Sequence, residues 1–386
     1  MIPIRYNLRS LMVRRATSAM TAFVVALVVM ILFILSGFIA GLRQTVLRSA
    51  APDNWIVLSR GTTSEPDSFI SRDQYEIIKS RPQIATGAAG EALVSPETMT
   101  GFNPNPDEGV GSIFTQLRGV YPIAYQVHRD LKLVSGRWPA HGAAEMAVGC
   151  KLAARYPNLA VGRDFRFGKR TWKIVGIYSD ANSARESEVL ADLDVLGQEV
   201  HFGNGFEALH VVMRPGMEPA FRDSLGADSR LKLDAMSEQE FYMRQTDFVD
   251  QLRALGMIVA LVLAIGAVFG AMNTMYTAVA RRTSEIGVLR ALGFNRLSVL
   301  ISFVGESVLL AIAGGIAGEI LGIMVAGATG LSSNLLNVGS YLFRFQLTPA
   351  AFISGMFAAV IIGALGGLLP AWRASRIGVI ESLRAV

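Results

Sequence analysis

Four apolar stretches, 16–42, 254–280, 297–331 and 349–371, constrain this 386-residue chain more than any other feature. A hydrocarbon core about 30 Å thick takes about 20 apolar residues in a helix, and each stretch meets that length. An ordinary water-soluble fold is excluded. Residues 43–253, which separate the first stretch from the other three, are mostly polar. The expected fold is an α-helical bundle of four transmembrane helices, with a large α+β domain inserted between helices 1 and 2.

Arginines orient the chain. Arg5, Arg9, Arg14 and Arg15 precede the first span, Arg281, Arg282, Arg290 and Arg296 lie between the second and third, and Arg373, Arg376 and Arg384 follow the fourth. Short loops rich in Lys and Arg stay cytoplasmic, so both termini and the 281–296 segment are expected inside and the large domain outside. The formal charge of +5 comes from these flanks, because the inserted domain holds more Asp and Glu than Lys and Arg. No basic stripe with interleaved aromatics is present, so no nucleic-acid partner is expected. The first span is too long for the apolar region of a cleaved signal peptide. Cys150 is the single cysteine. An intrachain disulfide is impossible, so the outside domain must hold together by its core.

Within that domain, residues 54–60, 171–178 and 206–213 are rich in β-branched and aromatic residues and read as strands. Residues 71–80 and 219–225 read as short helices, and 95–111, with three prolines and several glycines, as a loop. Ser237 followed by Glu240 is a capping-box pattern. No proline interrupts 237–280, so a continuous helix of about 65 Å, roughly twice the hydrocarbon thickness, is expected. Its excess length is a stalk. Phe241, Gln245, Phe248, Leu252 and Leu255 form a seam along it, either coiled-coil-like or packed on its own domain. The resulting boundaries are a cytoplasmic amphipathic segment 1–15, span 16–42, outside domain 43–236, stalk and span 237–280, cytoplasmic segment 281–296, span 297–331, outside loop 332–348, span 349–371 and cytoplasmic tail 372–386.

Small residues recur at helical spacing in the later spans: Gly266 and Gly270, then Gly314, Gly318 and Gly322, then Gly363 and Gly367. Such spacing lets helix backbones approach closely in lipid. Glu306 and Glu319 lie inside the third span, where a carboxylate is costly and faces a bundle interior or water. Glu306 is placed to reach the cytoplasmic arginines. Glu319 suits either an interhelical hydrogen bond or a proton or substrate role. His128, His141, His201 and His210 show no metal-ligand spacing. In 161–170, Gly162 and Gly168 are one residue too far apart for a phosphate loop, and Arg170 stands where Ser or Thr is needed for magnesium. That stretch reads as a turn, and the chain itself is expected to bind no cofactor and catalyse no ATP hydrolysis.

Residues 280–296 (ARRTSEIGVLRALGFNR) form a short helix by pattern, with arginines on one side and Ile286, Leu289 and Leu292 on the other. The run Glu285-Ile286-Gly287-Val288-Leu289-Arg290-Ala291-Leu292-Gly293 resembles the coupling segment of FtsX/MacB-type ABC transporter permeases. Glu306 with Gly314, Gly315, Gly318 and Gly322 is similar to that family's third span, and 370–374 with 381–384 to its C-terminal end. Residues 131–138, 146–154 and 172–177 resemble the periplasmic core of MacB and of lipoprotein-releasing permeases. MacB carries a fused ATPase, which this sequence lacks, so the resemblance points to a lipoprotein-releasing or DevC-like permease subunit.

This resemblance implies a bacterial inner-membrane permease with a periplasmic domain, working as a homodimer or as a heterodimer with a related permease. ATP and magnesium would sit on a separate cytoplasmic ATPase, with a periplasmic adaptor and an outer-membrane channel or periplasmic acceptor as further partners. Arg281, Arg282, Glu285, Ile286, Gly287, Leu289, Arg290, Leu292 and Gly293 are the expected ATPase-coupling residues, the apolar ones filling its groove. The implied function is mechanotransmission that exports or extracts a lipid, glycolipid, lipoprotein or peptide. Two other functions remain open: activation of a periplasmic cell-wall hydrolase, as FtsX does, and sensing of antimicrobial peptides.

Overall fold

The computed structural model describes residues 15–105, 115–338 and 340–377. Arg5, Arg9, Arg14 and Arg384, the 381–384 run and the 106–111 part of the proline-rich stretch lie outside them. Two compact units are formed, one from residues up to 40, 249–334 and from 345 onward, the other from 41–248 and 335–344.

The first unit is helical. Four helices, Arg15–Leu47, Asp247–Arg281, Arg296–Ala328 and Pro349–Ser375, are each long and apolar enough to cross a bilayer. In hydrocarbon every backbone N–H and C=O needs an internal partner, and a helix supplies it within the segment. Asn295 caps the third helix by accepting from the Ser298 amide, and Thr348 caps the fourth by accepting from the Ala351 amide, with Pro349 as its first residue. Leu255, Ile258, Leu261, Val262 and Phe269 remain exposed along the second helix, as a lipid-facing side requires.

Glycines set the packing of this bundle. A Cβ at Gly318 would run into the carbonyl of Ala26, one at Gly314 would lie 2.7 Å from the carbonyl of Ala22, and one at Gly322 would meet the Phe33 ring. The third helix therefore rests on the first through its glycine face. Gly363 and Gly367 face Ser307 on the third helix, whereas Gly266 and Gly270 have nothing within 4 Å. Between the second and third helices a short helix, Thr283–Ala291, completes the unit.

The second unit is built on strands β1 (Asn54–Ser59), β2 (Ile70–Ser71), β3 (Val94–Phe102), β4 (Thr115–Val120), β5 (Leu131–Gly136), β6 (Glu145–Gly149), β7 (Asp164–Phe167), β8 (Arg170–Asp180), β9 (Val189–Asp192), β10 (Gly205–Phe206), β11 (Ala208–Val212) and β12 (Leu233–Ser237). Ten of them form one mixed sheet in the order β12-β1-β11-β3-β4-β9-β6-β8-β5, with β7 also on β8, while β2 and β10 pair separately. Ile78, Phe221 and Leu225, from helices Arg72–Lys79 and Glu218–Ala227, cover one end of the sheet over Val57, Leu209 and Val211. Leu152, Leu196, Trp172 and Met146 fill a second core at the other end.

Three expectations need correction. The stretch read as a loop from Ser95 begins as the nine-residue strand β3. Carbonyls of Leu93 and Glu97 accept from Val212 and Glu207 on the β11 side, so by alternation the missing N–H of Pro96 points the other way. There it falls one residue beyond the Glu97↔Val120 end of the β4 pairing, where a proline costs no ladder bond. Part of the 161–170 stretch, read as a turn, is strand β7 paired to β8.

The uninterrupted rod expected over 237–280 is two helices, Glu238–Gln245 and Asp247–Arg281, separated at Thr246. The Thr246 hydroxyl donates to the Met243 carbonyl at 2.6 Å, and its N–H is shared between the Tyr242 and Met243 carbonyls, the bifurcated bonding common at a helix end. Ser237 caps the first piece by accepting from the Glu240 amide. The Glu240 carboxylate takes Arg222 and Arg244 instead of closing the capping box. Phe241 is fully buried in its own unit and Gln245 accepts from the Tyr341 hydroxyl, so this end of the seam packs on its own domain. Leu252 and Leu255 are exposed, and the Phe248 side chain lies outside the description.

Close approach at Gly318 is testable. Gly318→Val should lower the melting temperature of the detergent-solubilised chain, by the equivalent of about 1–3 kcal/mol of overpacking. Gly327→Ala, where the added Cβ meets nothing within 4 Å, should not.

Candidate functional site

The 281–293 segment has two different faces. Arg282, outside helical geometry at φ −113° and ψ 15°, turns its guanidinium inward. Its NH1 donates to Glu306 Oε2 at 3.0 Å, and Nε lies 3.5 Å from Glu285 Oε2. One helical turn on, Ile286 is buried among Val299, Phe303, Ala371 and Ala374. At the other end Arg290 NH1 donates to the Ser375 carbonyl at 2.9 Å, one of the free acceptors at the end of the fourth helix. Gly287 is buried and Leu289 half-buried, while Arg281, Glu285, Val288, Leu292 and Gly293 are exposed. Gly293 has φ +94°, a left-handed position that ends the helix as glycine commonly does.

This arrangement changes the sequence expectation. Ile286, Arg282 and Arg290 are engaged with the bundle, so the outward face is carried by Arg281, Glu285, Val288 and Leu292. Glu306 does reach an arginine of the 281–296 segment. Glu319 is half-exposed in the third helix, lies beside Gly355 and has a buried Oε1 without a hydrogen-bond partner.

A second constellation lies inside the second unit, where distant parts of the chain bring charged groups together out of water. Arg118 on β4 donates through NH1 to Glu65 at 2.6 Å and Glu97 at 2.9 Å, and through Nε to Glu188 at 2.8 Å. His128 Nε2 contacts the other Glu97 oxygen at 2.7 Å, and His210 Nδ1 contacts Glu238 at 2.7 Å. Nε2 of His210 faces Glu97 at 3.6 Å and Glu65 at 3.8 Å. Arg185 joins through Glu238 at 3.6 Å and donates to the Ser49 carbonyl. All of these side chains are buried.

Burial opposes every one of these charges, and the partners decide the outcome. Burial alone would raise Glu65, but the Arg118 charge and His210 hold it down at about 2. Against the same penalty, a hydrogen bond from His210 and the Arg185 charge hold Glu238 at about 2. Glu97 is likewise held well below its usual range against burial, by His210, His128 and Arg118. Burial would lower His210, yet Glu97, Glu238 and Glu65 raise it to about 9. Glu207, buried and with only the Met99 amide as a near partner, is raised to about 7.

Sequence spacing gave no hint that Glu97, His128 and His210 converge with ligand atoms within 4.8 Å of one another. The set does not suit a metal ion. One Glu97 oxygen is held by Arg118 and the other by His128 and Ser95, so an ion would have to displace a guanidinium from its carboxylates. His141, Asp192 and Asp194 form a half-exposed second cluster, where Asp194 already accepts from Arg72 and Tyr121.

Two families match this architecture. A MacB-like periplasmic core domain is matched by residues 18–225, and an FtsX-like permease C-terminal region by residues 257–379. The chain belongs to the MacB/FtsX family of ABC transporter permeases, multi-pass inner-membrane proteins with a periplasmic domain. It is similar to the macrolide export ATP-binding/permease protein MacB of Bdellovibrio bacteriovorus, 23% identical over 297 residues that cover 70% of this chain and 44% of that protein. The pyoverdine export ATP-binding/permease protein PvdT of Pseudomonas fluorescens is 37% identical over 130 residues, 33% of this chain and 18% of that protein. An ABC transporter permease of Methanocaldococcus jannaschii is 24% identical over 238 residues, covering 59% and 58% of the two chains. The match thus spans less than half the length of the MacB relative. Among solved structures, the periplasmic region of MacB from Actinobacillus actinomycetemcomitans aligns at 14% identity and TM-score 0.38, covering 52% of this chain and 96% of that one.

The charge network predicts a pH optimum for stability. Glu65 and Glu238, depressed from 4.5 to about 2, stabilise the fold above pH 4.5 and lose that effect as pH falls toward 2. His210, raised from 6.5 to about 9, stabilises below pH 6.5 and loses that effect as pH rises toward 9. Glu207, raised from 4.5 to about 7, adds to the loss above pH 4.5. Thermal melting followed by near-ultraviolet circular dichroism should therefore peak between about pH 4.5 and 6.5, and His210→Gln should flatten the alkaline limb.

Proposed function

We propose that this chain is the membrane-spanning subunit of an ABC system in which a separate cytoplasmic ATPase docks on the 281–293 segment and drives movement of the periplasmic domain. The substrate class is hydrophobic or amphipathic: lipid, glycolipid, lipoprotein or peptide. The observation that carries this reading is the division of the segment into an inner face fastened to the bundle and an outer face of Arg281, Glu285, Val288 and Leu292. A partner that grips the outer face can then move the helices behind it. Clustering of arginines at 281, 282, 290, 296, 373 and 376 supports a cytoplasmic location for this face.

The names of the relatives, which cite export of a macrolide and of pyoverdine, support an export role. A paired arrangement with a second copy or a related permease is supported by Gly266 and Gly270. Among the described residues nothing lies within 4 Å of a Cβ placed at either glycine, which leaves this close-packing face of the second helix open to a partner. A periplasmic adaptor and an outer exit or acceptor complete the proposed assembly.

The test is ATPase activity of the co-purified cassette subunit in lipid. Glu285→Lys combined with Leu292→Asp should abolish stimulation by the permease, a loss of at least about tenfold for a charge reversed within a docking surface. Full stimulation by this variant would contradict the assignment.

A further inference from the structure

A buried ion pair is a poor source of net stability, since desolvation offsets most of the attraction, but it does fix which groups must lie opposite each other. The Arg282–Glu306 pair has that character. Its side chains are 10% and 5% exposed, and it joins the residue that starts the short helix to the first third of the third helix. Beside it, Ile286 inserts between Val299 and Phe303 of the third helix and Ala371 and Ala374 of the fourth. At the far end, Arg290 reaches the Ser375 carbonyl. Apolar contact alone would permit the short helix to roll about its axis, because Ile286 is its one fully buried apolar side chain. The two arginines, eight positions apart, remove that freedom from both ends.

We propose that Arg282 and Glu306 are a positioning pair that locks the rotation of the 283–291 helix on the third and fourth helices, so that force applied to its outer face moves the bundle rather than turning the short helix. This rests on the ATPase-docking reading for its functional consequence but not for its structural one. With the pair broken, Arg282 or Glu306 loses the contact that fixes its place against the other helix. The helix then loses its fixed rotation while its outer face, and hence its capacity to bind a partner, persists. Arg282 is accordingly a positioning residue and not part of the docking surface.

The experiment has two readouts. In the full chain reconstituted in lipid nanodiscs, with Cys150→Ser as background, a nitroxide on Ala291→Cys, an exposed position, reports helix mobility without any ATPase. Arg282→Gln and Glu306→Gln should each increase its mobility, and the exchange Arg282→Glu with Glu306→Arg should restore order. With the cassette subunit co-expressed and without the label, the single variants should still co-purify it. They should stimulate it about tenfold less or worse, as expected for removal of one partner of a buried ion pair, and the exchange should recover stimulation. If a single variant fails to fold, the same comparison is made between the exchange and Arg282→Lys, which keeps the charge and should retain order. Unchanged label mobility in the folded single variants, or in their place a mobile label in Arg282→Lys, overturns the proposal. So does undiminished stimulation by folded single variants. Failure of the wild-type chain to bind any cassette subunit would instead defeat the docking reading, with the label still judging the pair.

Discussion

Everything proposed for this chain depends on how one amphipathic turn of helix meets the membrane bundle. Arg282 leaves water and finds Glu306, Ile286 leaves water and finds the third and fourth helices, and Arg290 finds a carbonyl at the end of the fourth. The two arginine contacts satisfy groups that would be costly unsatisfied in an apolar setting, and the Ile286 contact removes apolar surface from water. Together they make the short helix part of the bundle rather than a loop between two spans. The glycine faces at Gly314, Gly318, Gly363 and Gly367 carry that rigidity onward, because backbones in direct contact leave little room for independent sliding.

The periplasmic domain solves a related problem with charge. Glu65, Glu97, Glu188 and Glu238 come from separate parts of the chain and meet around Arg118, Arg185 and His210. The arrangement ties β3, β4, β11, the residue before β9 and the start of the 238–245 helix to one another. A hydrophobic set of similar volume would hold the sheet as well. What the charges add is pairing that a slipped register cannot satisfy, since the acidic groups alternate with specific donors across the sheet.

Much of this was legible beforehand, and the boundary of what was not is physical. Spans are read from length and apolarity, which are local, so 254–280 and 349–371 fall on helices and 297–331 does as far as Ala328, as does the 71–80 helix with its Ser71–Gln74 capping box. The short helix after the second span was legible from its residue pattern, but not which of its faces points inward. The 3.6-residue period shows that Ile286, Leu289 and Leu292 share a side without saying what covers it, and the structure buries the first, half-buries the second and exposes the third. Strand β3 was hidden by Pro96 and Gly101, turn residues tolerated here because Pro96 falls past the end of a ladder. Thr246, where the two helices part, carries no proline or glycine signal. The Arg118 network was invisible because its members are scattered over more than 170 positions from Glu65 to Glu238 and meet only after the sheet has formed.

The account stands on the coupling segment and the charge-networked domain lying on opposite sides of the membrane. Impermeant maleimide labelling of intact cells and of inverted membrane vesicles measures this directly, with single cysteines at Ser284→Cys and Lys169→Cys in the Cys150→Ser background. The account predicts that Ser284→Cys reacts only in inverted vesicles and Lys169→Cys only from outside the inner membrane. Reaction of both positions from the same side would contradict it.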